Sequence, residues 1–272
     1  MKERVVIVGV SGFEGFHLAR HFLKEGHEVI GLDEQGAGHT SLAKHRLYVL
    51  SHPKFRLVQT KRLNGQLLKR VASTYAFQCV ILCPSDDHGS EFRYHLVQKW
   101  LRTDTTLRDV TFITLNVHGD DDSQVVQVKT NELSGPWEDE TGLFTRLIKV
   151  IVLGRPPVGM YANTHIQFLY VDDVVKTMYE IMQMAQFENV YGRYDIEPTE
   201  MLTSQTAILD VARLLKRPPL VLPDGEMKTS LVMPSIETAI APPASTTSFY
   251  EGLEVYLDWY TTYQKVLEEG IR

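Results

Sequence analysis

The sequence predicts an α/β fold built on a doubly wound parallel sheet, and three observations carry that prediction. Strand-like and helix-like segments alternate through the first half of the 272 residues. The strand-like runs are continuous and β-branched, as in "RVVIVGV" at 4–10, the pattern of a strand covered on both faces. Glycines cluster between that first run and the helical segment behind it.

Each element follows in turn. After the glycine turn, "FHLARHFLKEG" carries apolar residues at helical spacing and is ended by Gly26. "HEVIGLDE" (27–34) is the second strand, Ser41 to Leu50 a short helix, and "FRLVQTKRL" (55–63) the third strand. "NGQLLKRVASTY" reads as helix, "QCVILC" as strand, "EFRYHLVQKWLR" as helix and "DVTFITL" as strand. A short polar link leads to "VVQVK". In "GPWEDETGLFTRLIKVIVLGRPP" an acidic turn precedes an apolar helix stopped by Gly154 and the prolines. "IQFLYVDDVVKTMYEIMQMA" gives a strand, then a helix for which Asp172 and Asp173 provide an N-cap and a favourable charge for the dipole. Its Met178, Ile181 and Met182, with Met184 nearby, form an ordinary core stripe. "TSQTAILDVARLLKRPP" and "FYEGLEVYLDWYTTYQKVL" are two more helices, and Pro218 to Thr247 reads as loop and short strands.

Composition narrows the function. With 43% hydrophobic and 23% charged residues the chain is globular rather than disordered. A net charge of −6 and no run of Lys/Arg longer than two exclude a nucleic-acid partner. No apolar stretch is long enough to span a membrane, and "MKERVVIVGV" enters a strand without a signal-peptide pattern, so no membrane partner and a cytoplasmic location are expected. Cys79 and Cys83 lie four apart on one strand-like run, roughly 13 Å by strand geometry, which leaves them as reduced core residues.

Gly9, Gly12 and Gly15 stand between strand and helix, and Asp33 closes the next strand. Without Cβ atoms the backbone turns tightly and a pyrophosphate can approach the helix N-terminus, where free N–H groups and the dipole favour an anion. The acid suits two adjacent ribose hydroxyls and repels a 2′-phosphate, which favours NAD over NADP. The spacing, with strand before and helix after, is that of a Rossmann-like dinucleotide site.

The run G-x-x-G-x-x-G with Ser11 and Phe13, followed by "LARHFLKEGHEVIGLD", resembles the extended short-chain dehydrogenase/reductases that act on nucleotide sugars. "SLAKHRLYVLSHPKFRLV" is similar to the UDP-glucuronate 4-epimerase branch. So are "GPWEDETGLFTRLIKVIVLGRPPVGMY", "FLYVDDVV" and "EGLEVYLDWY", so that the resemblance covers nearly the whole chain. It implies an NAD-binding part over residues 1–150, and a small C-terminal substrate lobe over 151–272 that is woven onto the first part and receives a strand near 166–171. It implies cofactor contacts from Gly9, Ser11, Gly12, Phe13, Gly15 and Asp33, and a nucleotide or nucleotide sugar as partner.

In that family a Tyr-x-x-x-Lys helix carries the reaction, the tyrosinate taking a proton from the sugar hydroxyl while hydride passes to NAD. None of the twelve tyrosines here is followed by lysine at the fourth position. "TFITLNVHG" resembles the family's fifth strand, placing Thr114 where a Ser/Thr orients the substrate hydroxyl, and "VVQVKTNELSGPWED" resembles the sixth strand and its loop. The helix between them is missing. Eight residues, Asn116 to Ser123, span at most roughly 26 to 29 Å. That suffices to return along a strand of about 17 to 20 Å and keep the sixth strand parallel; an antiparallel hairpin is the less favoured alternative.

Other positions depart as well: Lys61 stands for an acid that contacts adenine, Pro84-Ser85 for a small Ala pair, Ile166 for a basic residue that holds the substrate diphosphate, and His118 for a tyrosine. His118 is a substitute base on the sharp reading and an ordinary loop histidine on the plain one. "DHG" (87–89), His118 and the acids 120–122 read as a solvated turn, not a metal site.

Two functions follow. The first is a non-catalytic or repurposed relative that keeps an NAD or nucleotide site. The second is a working nucleotide-sugar 4-epimerase, dehydratase or decarboxylase whose base is His118, Tyr94 or a partner's residue. Because the helices around the missing stretch build the family's dimer, a monomer or a different association is expected.

Overall fold

The computed structural model describes residues 3–34, 40–61, 64–83, 107, 110–116, 125–156, 160–188, 190–225, 239–241 and 245–269. The "EFRYHLVQKWLR" helix, the Pro84-Ser85 pair, the "DHG" run, Tyr94, His118 and the 120–122 acids lie outside these residues. The chain divides into two compact units, one of Met1–Lys129, Val175–Asp195 and Glu237–Ala241, the other of Thr130–Val174, Ile196–Ile236 and Pro242–Arg272.

In chain order the elements are β1 (Arg4–Val8), α1 (Phe13–Lys24), β2 (Glu28–Glu34), α2 (Ser41–Val49), β3 (Phe55–Thr60), α3 (Gly65–Thr74), β4 (Cys79–Leu82), β5 (Thr111–Leu115) and β6 (Val125–Thr130). There follow β7 (Leu133–Ser134), α4 (Leu143–Leu153), β8 (His165–Tyr170), α5 (Val171–Glu188), β9 (Gly192–Ile196), β10 (Glu200–Thr203), α6 (Ser204–Leu214), β11 (Ala239–Ala241) and α7 (Phe249–Glu269).

The first unit is organised by a sheet in the order β11-β9-β6-β5-β4-β1-β2-β3. Pairings β1–β2, β2–β3, β1–β4, β4–β5 and β5–β6 are all parallel. The run 3-2-1-4-5-6 is the doubly wound order, with its reversal between β1 and β4. β1, β4 and β5 bury nearly every residue, which is why their sequences read as unbroken apolar runs. One face is closed by Leu67, Leu68 and Val71 of α3 packing on Val6, Ile30, Val80, Leu82, Phe112 and Val125. Cys79 and Cys83 are buried free thiols, and burial pushes both well above the usual thiol range.

The fifth and sixth strands settle the choice between a parallel and an antiparallel sixth strand. They pair in parallel, Phe112 with Val125 through Leu115 with Val128. Asn116, at φ +52°, turns the chain out of β5 while its N–H donates to the Val128 carbonyl at 2.8 Å. Only residues 116–124 connect two strands that point the same way, where parallel neighbours ordinarily need a dozen or more.

The second unit has a three-stranded sheet, β10-β8-β7, with β7–β8 parallel and β8–β10 antiparallel. Its mainly aliphatic core holds an aromatic cluster, in which Phe144 of α4 lies 5.6 Å from Phe168 and 5.4 Å from Phe249, ring centre to ring centre. Met178, Ile181 and Met182 of α5 are buried as expected, with Met184 at the surface. The N-cap expectation for Asp172 and Asp173 is corrected: α5 begins at Val171, so both acids lie within its first turn. Asp173 is fully buried and accepts from the Ser245 hydroxyl and from the Thr247 N–H and hydroxyl, fastening the chain ahead of α7.

Candidate functional site

A site at the C-terminal ends of the central strands is built from register. Val8 pairs with Leu32 on one side and Leu82 on the other, and Leu82 pairs with Thr114. The turn after β1, Asp33 at the end of β2 and Thr114 near the end of β5 therefore share one edge, with Thr114 two strands, roughly 10 Å, from β1. The reversal of strand order between β1 and β4 falls between them, where open α/β sheets leave a crevice.

The turn needs its glycines for two different reasons. Gly9 has φ +79°, which a side chain would strain, and its N–H donates to the Leu32 carbonyl at 2.9 Å. Gly15 sits against the turn, and a Cβ there would be driven into the Gly9 carbonyl oxygen and lie 2.9 Å from its carbon. Gly12 occupies the N-cap of α1 in extended conformation and offers no side chain to cap the helix. The leading N–H groups of α1 thus face whatever lies before the turn. Ser11 and Phe13 are buried beside it. Asp33 lies at the edge with one carboxylate oxygen accepting from the Glu34 N–H at 3.0 Å. These features fit a dinucleotide's pyrophosphate and ribose: a cradle that a Cβ would fill, a helix start without a cap, and an acid on the neighbouring strand.

Thr114 is 1% exposed, and among the described residues its hydroxyl has no hydrogen-bond partner. A buried hydroxyl in that state costs about 1–3 kcal/mol unless something pairs with it. Lys61 is exposed just beyond β3, and Ile166 packs on the apolar core of the second unit, so neither occupies its position with the charge that the resemblance implies.

Sequence reasoning missed Arg46. It is buried under the turn, its Nη1 donating to the Ser11 carbonyl at 3.1 Å and its guanidinium carbon 5.9 Å from the centre of the Phe13 ring. The available signal was its place between Ala43 and Leu50 on the inward stripe of a helix that has almost no other apolar face. Glu138 was also missed. It is buried in the second unit, where Gly142 at the N-cap of α4 leaves room for it, and one oxygen accepts from the Thr145 N–H at 2.6 Å. Desolvation outweighs that bond and pushes its carboxyl up to about 8.

A cavity of about 220 Å³ opens at the other end of the strands, lined by Glu3, His27, Tyr179 and Gln186 among others. The Glu3 N–H donates to His27 Nδ1 at 3.2 Å, so neutral His27 carries its proton on Nε2, 3.2 Å from the Tyr179 hydroxyl. The Glu3 and Gln186 side-chain atoms there that have no partner among the described residues are the kind that ordered water pairs.

Residues 5–96 match the family model described as NAD dependent epimerase/dehydratase family. A curated relative, an uncharacterized 37.6 kDa protein of Escherichia coli O111:H-, is 27% identical over 105 residues; the match spans 38% of this chain and 30% of that protein. Among solved structures, dTDP-glucose 4,6-dehydratase from Bacillus anthracis in complex with NAD superposes with a TM-score of 0.74 at 12% identity, over 97% of this chain and 98% of that one. UDP-glucuronic acid 4-epimerase from Bacillus cereus in complex with NAD does so at 0.68 and 15% identity, over 95% and 99%. UDP-glucose 4-epimerase from Thermotoga maritima with UDP-glucose gives 0.66 and 13%, over 96% and 99%. The N-terminal part of the chain thus carries the sequence pattern of the NAD dependent epimerase/dehydratase family, and nearly all of it carries the fold of solved dehydratases and epimerases.

Proposed function

We propose that this chain binds NAD at the glycine turn and does not carry out standard nucleotide-sugar epimerisation. Gly9, Gly12 and Gly15 with the start of α1 hold the pyrophosphate, Ser11 and Phe13 line it, and Asp33 takes the ribose hydroxyls. When bound, NAD supplies a hydride acceptor. Thr114 orients a hydroxyl of a nucleotide or nucleotide sugar. The observation that carries the reading is the parallel β5–β6 pair joined by residues 116–124 alone, fewer than the dozen or more of an ordinary helical crossover. Loss of a general base removes about 10²- to 10⁴-fold in rate.

The Thr114 hydroxyl, unpaired among the described residues, favours one alternative, an active epimerase, dehydratase or decarboxylase with His118, Tyr94 or a partner's residue as base. The two readings part in one experiment. Purified protein is incubated with UDP-glucuronate and with UDP-glucose, products are followed by NMR, and the protein is then denatured for mass spectrometry. Release of NAD without any 4-epimer or keto sugar is the expected result. Turnover at an ordinary enzymatic rate would establish the alternative, and protein that neither retains nor takes up NAD would overturn both. The missing helix also removes part of the family's dimer surface, so the protein is a monomer or associates differently.

A further inference from the structure

The largest fully buried side chain among the described residues is that of Arg46, 1% exposed. It stands with Ala43 and Leu50 on the inward stripe of α2 and just past it, at i, i+3 and i+7. Desolvating a guanidinium costs several kcal/mol, and an apolar side chain of similar volume avoids that cost. A plain packing role therefore does not explain an arginine here.

A polar contact with the glycine turn does. Arg46 Nη1 donates to the Ser11 carbonyl at 3.1 Å. The other side of the same peptide bond, the Gly12 N–H, donates to the Gly9 carbonyl at 3.0 Å. A peptide unit is planar, so bonds at both ends leave it no rotation. Gly12 is the N-cap of α1, and the tilt of this one unit sets where the leading N–H groups of the helix point.

We propose that Arg46 is the positioning residue of the phosphate-binding turn: by holding the Ser11–Gly12 peptide it aims the start of α1 at a pyrophosphate. The inference rests on the NAD reading given above. It differs from a role in merely attaching α2, because it affects the phosphate part of the ligand and leaves the adenosine part alone.

The test compares dissociation constants for NAD and for adenosine, by calorimetry, in the wild type, Arg46→Lys and Arg46→Met. A hydrogen bond from a charged donor corresponds to about 10- to 100-fold in affinity. Arg46→Met is expected to weaken NAD by that factor with adenosine unchanged, and Arg46→Lys, which keeps a charged donor, to fall between. Equal losses for both ligands, or no loss for either, overturn the proposal. If Arg46→Met does not fold, as judged by circular dichroism, the NAD-to-adenosine ratio in Arg46→Lys decides: a ratio unchanged from the wild type overturns the proposal, and a lowered one supports it. A wild-type protein that binds neither ligand overturns the NAD reading itself, and this inference with it.

Discussion

Glu138 is a carboxyl that the fold keeps from water, and its proton is therefore part of the stability of the second unit. Burial lifts it to about 8 against an ordinary value of 4.5. Between those two values the folded chain holds a proton that the unfolded chain releases. Stability from this group is fully present below about 4.5 and is lost as pH rises through about 8. At about 1.4 kcal/mol for each pH unit the loss across that window is of order 5 kcal/mol. Urea midpoints at pH 5, 6.5 and 8 should decline in the wild type and stay nearly level in Glu138→Gln, whose amide oxygen still accepts from Thr145. Parallel curves for the two proteins would show that the carboxyl ionises freely.

Where one element meets the next, two glycines are needed for opposite reasons, and the difference is measurable. Gly15 has an ordinary φ, but a Cβ would strike the Gly9 backbone, which cannot move aside. Gly154 ends α4 at φ +66° with nothing within 4 Å of where its Cβ would be. Gly15→Ala should cost about 2–3 kcal/mol through overpacking and Gly154→Ala about 1 through the left-handed backbone alone, both read from urea unfolding. Equal costs would refute the distinction. The same contrast explains what was legible in the sequence. Strands buried on both faces, such as β1 and β4, advertise themselves as apolar runs, and the glycine turn as a spacing. β9, "GRYDI", and β10, "EMLT", are strands because a neighbour supplies their pairing, and no period in their own residues announces it. Arg46 and Asp173 were illegible as roles because each acts on a backbone group distant in sequence, Ser11 in one case and Thr247 in the other.

At the scale of the molecule, the sheet holds its doubly wound order although one crossover is confined to residues 116–124. The association state should change with it. Light scattering is expected to give the 31.0 kDa mass of one chain or an association other than the family's, and a stable dimer built on the family's helical surface would contradict this. Because β5 and β6 run with the same polarity, a segment inserted between Leu115 and Val125 need not reverse either strand. A helical cassette bearing a phenol and an amine is the ordinary kind of link for such a pair, so its insertion there is expected to leave the strand order intact.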